Sequence, residues 1–128
     1  MLFRSTTGHW TAVRNILRYV KGTTNFGIIY LKEMEDVKLL GYSASDMAGY
    51  MNDRKSNSGV AYFFGKSIVS WLSQKQKVVA LSSCEVGYIA AATAACPGVW
   101  LGRLLGDLMN KEPEEVVLNV DVKSTVSM

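Results

Sequence analysis

The sequence predicts an α/β fold in a single domain, and three observations carry that prediction. Apolar residues recur at helical spacing near the N-terminus. Short β-rich runs then appear in pairs, and an alanine-rich stretch leads into one further β-rich run. The chain has 128 residues, room for one core that buries roughly two-thirds of the surface its unfolded form exposes, and too few for a second full domain.

The elements run in order along the chain. Trp10, Val13, Ile16, Leu17 and Val20 lie at helical spacing, and Gly22 comes next as a stop, so a helix is expected over about 8–21. His9 stands at its start as a capping or surface residue. Phe26 to Leu31 and Val37 to Ser43 read as two strands of a hairpin joined by the charged stretch 32–36. After a polar loop over 46–57, Gly59 to Phe64 and Ser67 to Leu72 form a second hairpin around Gly65 and Lys66.

Ser82 or Ser83 is placed to cap a long helix running to Met109. Pro97-Gly98 is expected to kink or break it, because proline removes a backbone hydrogen bond and costs about 3 kcal/mol in a helix interior. Val116 to Asp121 completes the order helix, four strands, long helix, strand. Trp71, Trp100, Tyr88, Phe63 and Phe64 fall within apolar patterns and are expected in the core.

The net charge is +3, too small to point to a polyanion by itself. Its distribution is uneven: residues 1–84 carry eleven basic and five acidic side chains, residues 85–128 three basic and six acidic. Cys84 and Cys96 lie twelve positions apart in an expected helix, about 18 Å along its axis, beyond disulfide reach. With one histidine, a Cys/His zinc site is excluded. No run of about 20 apolar residues and no signal core is evident in the sequence, so a soluble, intracellular protein with no membrane partner is expected.

Five ordered segments carry a resemblance: residues 9–23, 39–49, 53–59, 69–91 and 99–105. Together they resemble the ribonuclease H region of copia-type LTR-retrotransposon Pol polyproteins, with the helix that precedes it. The resemblance implies a connecting helix segment over 1–24 and a ribonuclease H-like domain over 25–128. That fold is a mixed sheet with flanking helices, here incomplete at the C-terminus. It also implies an ancestral activity, hydrolysis of the RNA strand of an RNA–DNA hybrid, using two Mg²⁺ or Mn²⁺ ions held by converging carboxylates.

Measured against the family, the carboxylates are depleted. The family's strand acid corresponds to Ala44, and the helix acid before Tyr-Ile-Ala corresponds to Gly87, with Glu85 the other position considered. Cys84, Gly87, Ala91, Ala94, Ala95 and Gly98 would form a small-residue face able to approach the sheet. Asp121 matches the third acid as a vestigial catalytic and metal ligand, or else caps a helix starting at Val122. The fourth would lie beyond Met128. Asp46 shares the side of Ala44 but stands roughly 6.6 Å further along, so it is a candidate catalytic ligand only if the strand bulges there, and otherwise a loop or turn residue.

Arg54, Lys55, Lys75 and Lys77 are candidate phosphate contacts, with a solvated surface as the plain alternative. The expectation is therefore a catalytically inactive Pol fragment that binds no metal stably. The alternatives are a non-catalytic module for nucleic acid or protein, touching RNA–DNA hybrid weakly, and a residual metal-dependent nuclease. Gly87, Pro97 and the short C-terminus also predict marginal stability and non-specific self-association.

Overall fold

The computed structural model describes residues 4–32, 37–47 and 53–121. Helix α1 (Thr7–Gly22) opens with a reciprocal cap. The His9 amide donates to Thr6 Oγ1 at 3.2 Å, and the Thr6 amide donates to His9 Nδ1 at 3.0 Å, which satisfies two of the orphan donors of a helix start. His9 is thus a capping residue, as its position suggested. None of the helix's residues is buried.

The strands are β1 (Leu39–Ser45), β2 (Asn57–Phe64) and β3 (Ser67–Lys75), followed by helix α2 (Ser83–Met109) and β4 (Val117–Val120). They form one sheet in the order β3-β2-β1-β4. β1–β2 and β2–β3 are antiparallel, and β1–β4 is parallel. Gly65 supplies the positive φ of 64° that the β2–β3 turn requires.

No strand forms over Phe26 to Leu31, contrary to the hairpin expected there. β1 already pairs on both sides, with β2 and β4, so no partner edge is left beside it. Among the described residues a hydrogen bond ties that segment to the sheet: Tyr30 Oη donates to the Ile68 carbonyl at 2.7 Å, on the β3 edge. Residues 33–36 of the expected connection lie outside the described residues, as do 48–52 of the polar loop.

α2 covers one face of the sheet through Val86, Gly87, Ala90, Ala94, Gly98, Gly102 and Gly106, which are all buried. This small-residue face includes Gly87, Ala94 and Gly98 as expected. It is rotated from the predicted one, since Cys84 and Ala91 are only half-buried and Ala95 is exposed. The close approach centres on Tyr62, whose hydroxyl donates to the Ala94 carbonyl at 2.5 Å. A Cβ on Gly41 would come within 2.5 Å of the Tyr62 ring and 2.9 Å of Leu118, and one on Gly98 would meet the Tyr62 hydroxyl.

α2 runs through Pro97 without ending, so the break expected there as one outcome does not occur. Tertiary packing explains it, because Ala90 and Ala94 before the proline and Gly98 and Gly102 after it are all buried, Gly98 against Tyr62 of β2 and Gly102 against Val116 just before β4. Also contrary to expectation, this 27-residue helix is long and apolar enough to cross a membrane on those criteria alone. In the structure it lies along the sheet.

The aromatic residues expected in the core largely leave it. Trp71 and Trp100 are each 62% exposed and Tyr88 is 75% exposed; Phe63 and Phe64 are half-buried. The physical reason is the small-residue interface, which leaves no room for large rings, together with a second sheet face on which no described helix packs. Tyr42 and Phe63 meet edge to face there, with ring centroids 5.7 Å apart.

Candidate functional site

The last β1–β4 pair is Ser43 with Val120, and the Asp121 amide donates to the Ser43 carbonyl at 2.9 Å. Ala44 and Asp121 therefore lie side by side at the same end of two adjacent parallel strands. Both line a shallow concavity with Tyr42, Gly59, Ala61 and Asn119. Asp121 is the only carboxylate among its lining residues.

Gly87 does not reach that concavity. It sits near the start of α2 on the side packed toward the sheet, where an added Cβ would meet nothing within 4 Å. A larger side chain therefore has room to begin at that position.

Both other acids considered are committed to local structure. Asp46 Oδ1 accepts the Asn57 amide at 2.7 Å, and the Asp46 amide donates to the Asn57 carbonyl at 3.2 Å. This latches the end of β1 to the start of β2. Glu85 Oε2 accepts the Leu81 amide at 2.7 Å, while Ser82 Oγ accepts the Glu85 amide at 3.2 Å. Glu85 is part of the α2 cap, where a carboxylate also complements the helix dipole.

Two divalent ions require several oxygen donors in place of their water, and the described residues of this strand end supply one carboxylate, Asp121. Among the described residues no three His, Cys, Asp or Glu side chains come together.

The basic candidates gather at the same pole of the sheet. Asn57 pairs with Lys75 across β2 and β3; Asp53, Arg54 and Lys55 lie just before β2, and Lys77 just after β3. Arg54 adopts a left-handed φ of 57°. Asp53 organises the group: its Oδ2 lies 2.5 Å from Lys75 Nζ, and its Oδ1 accepts the Lys55 amide at 3.2 Å. The Lys75 hydrogen bond, then the Lys55 amide, hold the Asp53 carboxyl below its ordinary range. Lys75 is thereby partly neutralised as a phosphate contact, whereas Arg54 and Lys77 are exposed.

Sequence reasoning missed Gln76, which sits in a basic run that reads as solvated. Its side chain is buried and its Nε2 donates to Ser58 Oγ at 2.8 Å and to the Val86 carbonyl at 3.1 Å. The Gln76 amide also donates to the Ser56 carbonyl at 2.8 Å. This residue joins β2 to the first turn of α2 and so holds the pole together. Nothing in the local pattern marks it.

Known proteins similar to this chain include transposon polyproteins. The chain is 39% identical over 120 residues to the retrovirus-related Pol polyprotein from transposon TNT 1-94 of Nicotiana tabacum, across 94% of this chain and 9% of that protein. It is 38% identical over 103 residues to the Pol polyprotein from transposon RE2 of Arabidopsis thaliana, across 80% of this chain and 7% of that protein. It is also 41% identical over 93 residues to secreted RxLR effector protein 161 of Plasmopara viticola, across 73% of this chain and 65% of that protein. The chain thus spans less than a tenth of these two Pol polyproteins. No protein-family model and no solved structure matches it.

Proposed function

We propose, from the premise that this chain's homologues include retrovirus-related Pol polyproteins of copia-type transposons, that it is a ribonuclease H-like Pol segment that no longer cleaves. In this reading α1 is the connecting helix and the sheet with α2 is the ribonuclease H-like domain. The observation that carries it is the strand-end concavity: Ala44 stands beside Asp121, and Asp121 is the one carboxylate lining it. A methyl group supplies no donor to a metal. Asp46 and Glu85 are held by backbone amides and do not substitute.

The test is a labelled RNA–DNA hybrid incubated with the chain and Mg²⁺ or Mn²⁺. No metal-dependent cleavage is expected. Cleavage that disappears in Asp121→Asn would overturn the reading and favour a residual nuclease.

A second reading, weak binding of nucleic acid without cleavage, is favoured by the placement of Arg54, Lys55, Lys75 and Lys77 around one pole. Such binding would rest on phosphate contacts and fall steeply with salt. Replacing Arg54, Lys75 and Lys77 with Ala should lower both affinity and salt slope; an unchanged slope makes them solvated surface only.

A further inference from the structure

We propose that the sheet face opposite α2 binds single-stranded nucleic acid, with bases stacked on Tyr42 and Trp71 and the phosphates drawn to the basic pole. The inference deepens the nucleic-acid reading above and rests on it. One row of the sheet and the charge around it carry the inference.

The row is fixed by strand register. Asn119 pairs with Tyr42, Tyr42 with Ala61, and Ala61 with Trp71, so these four side chains share one face. Tyr62, the next residue along β2, is buried and bonds the Ala94 carbonyl of α2, so the row lies on the side away from that helix. Trp71 is 62% exposed and Tyr42 47% exposed. Ala61 separates them, and the neighbouring row holds Ala44, Gly59 and Ser73. Small residues thus leave open backbone around two aromatic rings, and the edge-to-face contact with Phe63 restrains the Tyr42 ring.

An exposed ring on a sheet can stack with any base, because every base has a π-face. In a duplex those faces are occupied by neighbouring bases, so unpaired nucleotides are the ones that can use the row. The charge fits the same ligand. Residues 37–77, which supply β1, β2 and β3, hold six basic and two acidic side chains. Arg54 and Lys77 are exposed at the pole where β3 ends, and Lys75 shares the face of Trp71, four residues nearer that pole. Of the two acids, Asp53 is held by Lys75 and Asp46 by the Asn57 amide; Asp121 adds one countercharge after β4. A single strand satisfies both features, rings for its bases and cations for its phosphates. An apolar protein surface would cover the rings and leave the cations unmatched.

The experiment is a fluorescence titration of the full chain at several salt concentrations. The probes are an oligothymidylate of about 12 nucleotides, an abasic phosphodiester oligomer of the same length and an RNA–DNA hybrid duplex. The oligothymidylate should bind at least about tenfold more tightly than the abasic oligomer and quench tryptophan fluorescence. Trp71→Ala and Tyr42→Ala should each weaken it about fivefold or more with the salt slope unchanged, a separation that loss of phosphate contacts would not give. Trp71→Phe should keep most of the affinity and lose most of the quenching, and circular dichroism checks that each variant keeps its fold. Equal binding of the oligothymidylate and the abasic oligomer, tighter binding of the hybrid than of the single strand, or full affinity in Trp71→Ala would overturn the proposal and leave phosphate binding standing. No binding of any probe at low salt would overturn the nucleic-acid reading along with it. A dimer that Trp71→Ala dissociates would assign the face to a second copy and overturn the proposal as well.

Discussion

The two helices of this protein use their apolar stripes in opposite ways. α1 has the better-segregated stripe, built from large residues, and buries none of them. α2 has a weaker segregation, yet it buries seven residues, and all but Val86 are Gly or Ala. Periodicity states which face a helix can offer. The surface opposite decides whether that face is buried, and the small side chains of α2 let its backbone reach Tyr62 and the sheet.

Gly98→Val should expose this contrast most strongly. Its side chain would collide with Tyr62, and overpacking of this kind costs about 1–3 kcal/mol or more. Ala12→Val on α1 should cost only about 0.5 kcal/mol, a propensity effect. Thermal melting of both checks the contrast; equal losses would show that α2 is not closely packed.

Pro97→Ala should stabilise the chain, by up to about 3 kcal/mol, since α2 passes through that position and alanine restores a backbone donor. An unchanged or lower melting temperature would mean the proline is accommodated by local relaxation. Gly87→Ala should add about 1 kcal/mol, because the new methyl meets nothing within 4 Å.

Tyr62→Phe should cost about 1 kcal/mol by removing the hydroxyl's bond to Ala94. Burial raises the Tyr62 pKa above its ordinary value of 10. Its stabilising contribution is therefore complete below pH 10 and is lost as pH rises toward the folded value. The melting temperature of the native chain should fall more steeply above pH 10 than that of Tyr62→Phe.

The weakest effect is expected at the Asp53–Lys75 pair. Its carboxyl is held below the ordinary 3.8, so its contribution is present at neutral pH and fades as pH falls below about 4, through the lower folded value. The pair is exposed, and Asp53→Asn should shift the melting point only slightly. A large shift would show that the basic pole is a cooperative part of the fold.

Much of the fold was legible because α1, β2, β3 and α2 each carry a local period or cap. His9, Ser82 and Gly65 announce their own positions. Strand pairing was less so: Phe26 to Leu31 has strand composition, but the edges of β1 are occupied by β2 and by the sequence-distant β4. Trp71 and Trp100 read as core because apolarity does not reveal whether a covering layer exists. Of the candidate site, the adjacency of Ala44 and Asp121 depends on a parallel pairing between residues 77 apart, which a sequence does not display. Gln76 was hidden for the same reason, since its partners Ser58 and Val86 belong to other elements.

The proposed loss of cleavage rests on one missing strand-end carboxylate, at Ala44 beside Asp121. Manganese titration of the native chain, Asp121→Asn and Ala44→Asp puts that loss to a direct test. No difference is expected between the native chain and Asp121→Asn, and at least about tenfold tighter binding is expected in Ala44→Asp, as a second hard oxygen donor enters beside the first. Stoichiometric manganese binding by the native chain that Asp121→Asn abolishes would contradict the proposal.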